Sequence, residues 1–210
     1  ERLYTFWHHD VKPTGLVNSH TSTVPLYFLA GFTDLMKSGE HHLAGKTLDE
    51  QCPEDTFLMF YCTWPHGVMT HRLWWNWYKK PLLRTQVWTM CMLHDVLMPT
   101  GGGNLRLYGN VVGYGKEAKP YVRVRQVRRA FDGSTFHPYW NQRVVTFDPA
   151  GPKASVWLNP AKKAAFVFVG NLPDQEYKGR MAIDRSALPG GTDPMAWDAM
   201  LDRELAPADQ

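Results

Sequence analysis

Four short runs rich in β-branched and aromatic residues dominate the C-terminal third: RVVTFD, ASVWLN, AAFVFVGNL and GRMAID. The segments between them, PAGPK, NPAKK and LPDQEYK, are turn formers, so the pattern signals hairpins. One strand about every ten residues predicts a small antiparallel sandwich or meander. In ASVWLN the odd and even positions differ only weakly, so the pattern leaves open which face is buried.

The first half follows a different rule. GLVNSH and FLAGFTD are apolar runs that end in polar residues, as parallel strands do where their C-terminal ends open into a site, and FLMFYCTW reads as a third. Residues 82–98, LLRTQVWTMCMLHDVLM, are apolar on nearly every side and run into PTGGG, which predicts a buried helix stopped there. YVRVRQVRRAF predicts a second helix, with three valines weakening it. Strands alternating with helices imply βα units.

With 44% apolar and 20% charged residues over 210 positions, the chain excludes disorder, collagen and coiled coil. No run approaches the roughly 18 apolar residues of a membrane helix. Three cysteines, Cys52, Cys62 and Cys91, form neither a disulfide framework nor a zinc ribbon. Glu1 opens the chain without an initiator methionine, which suggests a piece of a longer protein.

Chemistry is concentrated in residues 1–100, which hold eight of the nine histidines and six of the nine tryptophans. The net charge of +3 comes from the other half, where Arg123, Arg125, Arg128 and Arg129 read as a solvated helix face rather than a nucleic-acid surface. The densest polar cluster is GFTDLMKSGEHH, in which a strand runs out into Asp34, Glu40, His41 and His42. Before it, GLVNSHTS brings Ser19 and His20 to a strand end; after it, Cys62, Thr63, Trp64 and His66 close the third run. Carboxylates, imidazoles and indoles at neighbouring strand ends suit a sugar. Glycosidic cleavage needs one carboxyl to protonate the leaving oxygen and another as nucleophile or base, while flat rings pack against pyranose faces.

Plainer readings compete. Asp34 has the residue type of an N-cap for a helix beginning at Leu35, and Glu40 that of a solvated loop. Metal ligation by His8, His9, Asp10, His20, Glu40, His41 and His42 has the donors but lacks HxxxH spacing. Asp49 and Glu50 read as surface, and Trp74, Trp75 and Trp77 as packing. No nucleophile elbow, P-loop or dinucleotide fingerprint is present, and GGGN at 101–104 reads as a linker.

The order of GLVNSHTS, GFTDLMKSGEHH, MCMLHDVLMP, FHPYWNQRVV and ASVWLNPAKKAAFVFVGNLPDQEYKGRMAIDRSAL resembles the C-terminal part of a (β/α)8-barrel glycoside hydrolase followed by a β-sandwich. The likeness is to the family 123-type and related α-galactosidase-like or α-amylase-like bacterial proteins. It implies an α/β fold class, with residues 1–131 as the last strands and helices of an incomplete TIM-type barrel and 132–210 as a small antiparallel β-sandwich. About three barrel strands cannot close a barrel, which takes eight, and an open sheet edge near residues 1–20 is the expected sign.

The function implied is glycoside hydrolysis, with Asp34 and Glu40 as catalytic carboxylates and His20, His41, Trp64 and His66 binding substrate. A partner carboxylate upstream of Glu1 is compatible with this. No cofactor and no metal are called for; the expected partner is an oligosaccharide or polysaccharide, not nucleic acid or membrane. Exported relatives imply an extracellular or periplasmic location. The alternatives are a non-catalytic carbohydrate-binding protein and a metal-dependent hydrolase.

Overall fold

A computed structural model describes residues 2–20, 31–38, 47–62, 69–72, 81–96, 119–190 and 195–205. The chain divides into two compact units, Glu1–Asn104 and Leu105–Gln210. Helices and strands are mixed in the first. Among the described residues, the second joins one α-helix to antiparallel strands.

The first unit opens with α1 (Arg2–Phe6) and a π-helical turn over Trp7–Val11. Its sheet has three parallel strands, β1 (Asn18–His20), β2 (Leu35–Ser38) and β3 (Met69–Arg72), adjacent in chain order. Between β2 and β3 run α2 (Leu48–Gln51) and α3 (Glu54–Tyr61), and α4 (Pro81–Leu93) follows β3. A capping box starts α2. The Thr47 hydroxyl accepts the Glu50 N–H and the Glu50 carboxylate accepts the Thr47 N–H, each at 3.2 Å.

Three expectations are corrected here. FLMFYCTW is not a strand, because residues up to Tyr61 belong to α3. Pro53 at the N-cap and Glu54 and Asp55 in the first turn favour a helix start. Phe57 and Tyr61, four residues apart, then share the buried face of that helix. FLAGFTD does not end a strand at Asp34; the strand is the next segment, Leu35–Ser38. For the same reason Asp34 is no helix cap, since Leu35 begins β2.

The third correction concerns α4, which stops at Leu93 rather than at PTGGG. Asp95 takes the left-handed conformation (φ 53°), the Val96 N–H bonds the Cys91 carbonyl at 2.9 Å, and the Asp95 N–H bonds the Met92 carbonyl at 3.3 Å. This is a Schellman closure with Asp in the place usually held by glycine. Within the helix Leu83, Val87, Trp88, Met90, Cys91, Met92 and Leu93 are buried, as expected of a segment apolar on nearly every side, while Leu82 is exposed.

The second unit begins with α5 (Lys119–Arg129), followed by β4 (Thr135–His137), β5 (Val145–Asp148), β6 (Lys153–Asn159), β7 (Ala164–Gly170), β8 (Arg180–Ile183), β9 (Ala196–Asp198) and β10 (Arg203–Leu205). Among the described residues its pairings are all antiparallel: β4–β6–β7, β5–β8 and β9–β10. The central strand β6 is buried on both faces. Ala154 and Val156 join Val144 and Val145 in an aliphatic cluster that Phe147, Leu158 and Val167 flank, so the β5–β8 sheet packs on that side.

The other face of β6 carries Trp157. Its indole lies 4.7 Å from the Phe136 ring and 5.1 Å from Phe166, its register partners on β4 and β7. The Arg128 guanidinium of α5 stacks over it at 5.1 Å, while its NH1 donates to Asp132 at 2.9 Å. The weak alternation of ASVWLN therefore has a physical cause, since a strand covered on both sides needs no polar face. Among the described residues, none of the sheets closes into a barrel.

Candidate functional site

In parallel sheets ligands gather at the carboxyl ends of the strands, and the register defines that edge here. His20, Lys37 and His71 stand in one row across β1, β2 and β3, and Ser38 and Arg72 pair one residue further on. Residues alternate between faces with period two. Met36, next to Lys37 on β2, is fully buried.

The opposite, amino edge holds Asp34. Its carboxylate accepts the Val17 backbone N–H at 2.7 Å, and the Val17 carbonyl accepts the Asp34 and Leu35 N–H groups at 3.0 and 3.1 Å. The Thr33 hydroxyl, itself buried, lies 2.9 Å from the Val17 carbonyl and 2.7 Å from that of Leu35. Together these bonds fasten the entry of β1 to the entry of β2. His8 Nε2 approaches the same carboxylate oxygen at 3.4 Å, with its ring 4.4 Å from Tyr4 and its Nδ1 3.4 Å from the Pro13 carbonyl.

Asp34 is thus separated from the carboxyl edge by the length of β2, about 13 Å at 3.3 Å per residue. Of the other expected site residues, His20 is placed on β1 at the carboxyl edge. Glu40, His41, Trp64 and His66 lie outside the described residues. Cys62, expected at a strand end, instead closes α3, its N–H bonding the Leu58 carbonyl.

Lys37, His71 and Arg72 were not singled out by sequence reasoning. LMKS and MTHR are too short and too polar to give a strand signal, so only the pairing register reveals them.

A second polar group sits beneath α4. His94 is fully buried, with its Nδ1 2.7 Å from the Met90 carbonyl and its ring 4.8 Å from Phe57. Burial, with Cys91 and Asp95 nearby, pushes the Cys62 thiol up to about 12. Such a thiol is inert as a nucleophile at neutral pH. Among the described residues, no group of three or more His, Cys, Asp or Glu could hold a metal ion.

No helix among the described residues is long and apolar enough to cross a membrane. No family model, curated protein or solved structure matches the chain.

Proposed function

We propose that this chain acts on carbohydrate as a glycoside-hydrolase-like protein, or a piece of one, with the sugar seated at the carboxyl edge of β1–β3. The observation that carries the reading is the succession of three parallel strands adjacent in chain order, with helices in the β2–β3 connection and after β3. Such a singly wound order suits the late strands of a (β/α)8 barrel, and an antiparallel unit follows it as the resemblance leads one to expect.

In this reading Glu40, two residues beyond β2 in sequence, is the carboxylate that acts as general acid or binds a sugar hydroxyl. His20, His41, Trp64 and His66 position the ring. Asp34 serves the site indirectly, by holding the strands that carry His20 and Lys37.

The test is binding and cleavage of an oligosaccharide panel by the full chain, followed by calorimetry and reducing-end release. Cleavage that falls at least about a hundredfold in Glu40→Gln supports hydrolysis at this edge. Binding without cleavage, weakened by His20→Ala, points to the non-catalytic alternative. No binding to any glycan overturns the reading.

A further inference from the structure

All four residues of β8, Arg180, Met181, Ala182 and Ile183, are exposed, and among the described residues β8 pairs with β5 alone. Its two faces differ nevertheless. Met181 and Ile183 are register partners of Phe147 and Val145, so they share the face that packs into the aliphatic cluster, yet they stay 48% and 37% exposed. Arg180 and Ala182 stand on the other face, opposite Asp148 and Thr146. The core therefore ends one strand short of its own sheet.

Hydrogen bonding gives the edge a direction. The Asp184 N–H bonds the Val144 carbonyl at 2.8 Å, and the Val145 N–H and carbonyl are both taken by the Gln142 side-chain amide, at 2.8 and 2.9 Å. Residues 180, 182 and 184 thus turn their backbone groups towards β5, while Met181 and Ile183 turn theirs outward. The Gln142 amide covers the outer edge of β5. Among the described residues, no hydrogen bond reaches the outward N–H and C=O groups of Met181 and Ile183. An open edge beside uncovered apolar side chains is a template for another strand.

We infer that the chain associates with a second copy of itself, the two β8 strands pairing antiparallel about a two-fold axis at Ala182. Outward groups must meet outward groups, so the axis passes through a residue rather than between two. At Arg180 it would oppose like charges; at Met181 it would set Ile183 against Gly179; at Ile183 it would set Met181 against Arg185. At Ala182 it sets Met181 against Ile183 of the second copy and Arg180 against Asp184 of the second copy, and the symmetry repeats both contacts. One face of the joined sheet then runs Phe147, Met181, Ile183, Val145 without a polar break. On the other face Arg180 and Asp184 meet as a non-hydrogen-bonded pair, in which side chains approach most closely. Oδ1 of Asp184 already accepts the Ser186 N–H and hydroxyl, so Oδ2 is the oxygen that meets the guanidinium. This association is independent of the carbohydrate reading.

Sedimentation velocity of the full chain over a concentration series is expected to show a monomer–dimer equilibrium. Arg180→Glu and Asp184→Lys each bring like charges together at both ends of the interface and should weaken it at least about tenfold. Mixed in equal amounts, the two variants recreate both attractive pairs, and the dimer should return as a heterodimer. Ile183→Pro removes an outward donor without touching the bonds to β5 and should leave a folded monomer. A parent chain that stays monomeric up to about 1 mM, or a dimer that survives Ile183→Pro with unchanged circular dichroism, overturns the inference. Folded charge variants that fail to rescue each other overturn the axis at Ala182. Asp184 also caps the turn after β8; should Asp184→Lys or Ile183→Pro fail to fold, Arg180→Glu decides alone, and a dimer of unchanged affinity in that variant overturns the inference.

Discussion

The carboxylate of Asp34 holds the backbone N–H of Val17 at 2.7 Å, joining two chain segments seventeen residues apart just before each enters the parallel sheet. A charged acceptor on a part-buried amide contributes about 1–3 kcal/mol. Asp34→Ala is expected to lower the stability of the chain by that amount. Asp34→Asn, which keeps an acceptor oxygen, should cost less. Denaturant midpoints at constant m-value measure both. If either variant loses glycan cleavage with its midpoint unmoved, Asp34 acts in the chemistry rather than on the strands.

Trp157 is the largest fully buried side chain among the described residues, enclosed by Phe136, Phe166 and Arg128. Trp157→Ala opens a cavity that costs about 3–5 kcal/mol, and Trp157→Phe costs less because it keeps an aromatic plate. Urea unfolding followed by circular dichroism gives the two values. A loss below about 1 kcal/mol for the alanine variant would contradict this packing.

The raised Cys62 thiol gives a pH dependence. An acid whose folded value, about 12, exceeds the ordinary thiol value of 9.0 keeps its proton in the native state while the unfolded chain releases it. Its contribution is fully present below pH 9 and is lost as pH rises from about 9 towards 12, by up to about 1.4 kcal/mol per pH unit. Unfolding at a series of pH values should show this decline, and Cys62→Ala should flatten it. In native protein near pH 8, iodoacetamide should leave Cys62 unmodified and label it only after unfolding.

Gly190 has φ +120°, and a Cβ built on it would lie 2.7 Å from the Lys163 carbonyl oxygen, a backbone atom that cannot swing aside. Gly190→Ala is therefore expected to destabilise the C-terminal unit by about 1–3 kcal/mol. Differential scanning calorimetry of the variant reads the effect as a lowered melting temperature. An unchanged transition would mean that the turn rearranges freely.

What could be read in the sequence was decided by length and by punctuation. α4 and α5 were legible because eleven or more residues carry a helical pattern, and β5 to β8 because Pro-, Gly- and Lys-rich turns bracket them. FLMFYCTW misled because a short apolar run fits a strand or a buried helix equally. The deciding signal was outside it, in Pro53, Glu54 and Asp55. The bond between Asp34 and the Val17 amide, seventeen positions away, was not legible for another reason: no local pattern encodes it. His20 was legible as a strand-end residue, whereas Lys37, His71 and Arg72 required the register between strands.

β6 works like a key with two differently cut sides. Ser155, Trp157 and Asn159 point one way and Ala154, Val156 and Leu158 the other, and the surroundings of the two faces are not interchangeable. Slipping the strand by one residue would drive the indole into the place of Val156 or Leu158 and leave the aromatic cage around a leucine or a valine. Sliding it by two restores the faces but removes Trp157 from Phe136 and Phe166 and takes Ser155, whose hydroxyl accepts the Tyr139 N–H at 3.0 Å, from its partner. The unit thereby carries its own proofreading, in which every misaligned pairing is penalised by shape on one side and by a lost polar partner or aromatic contact on the other.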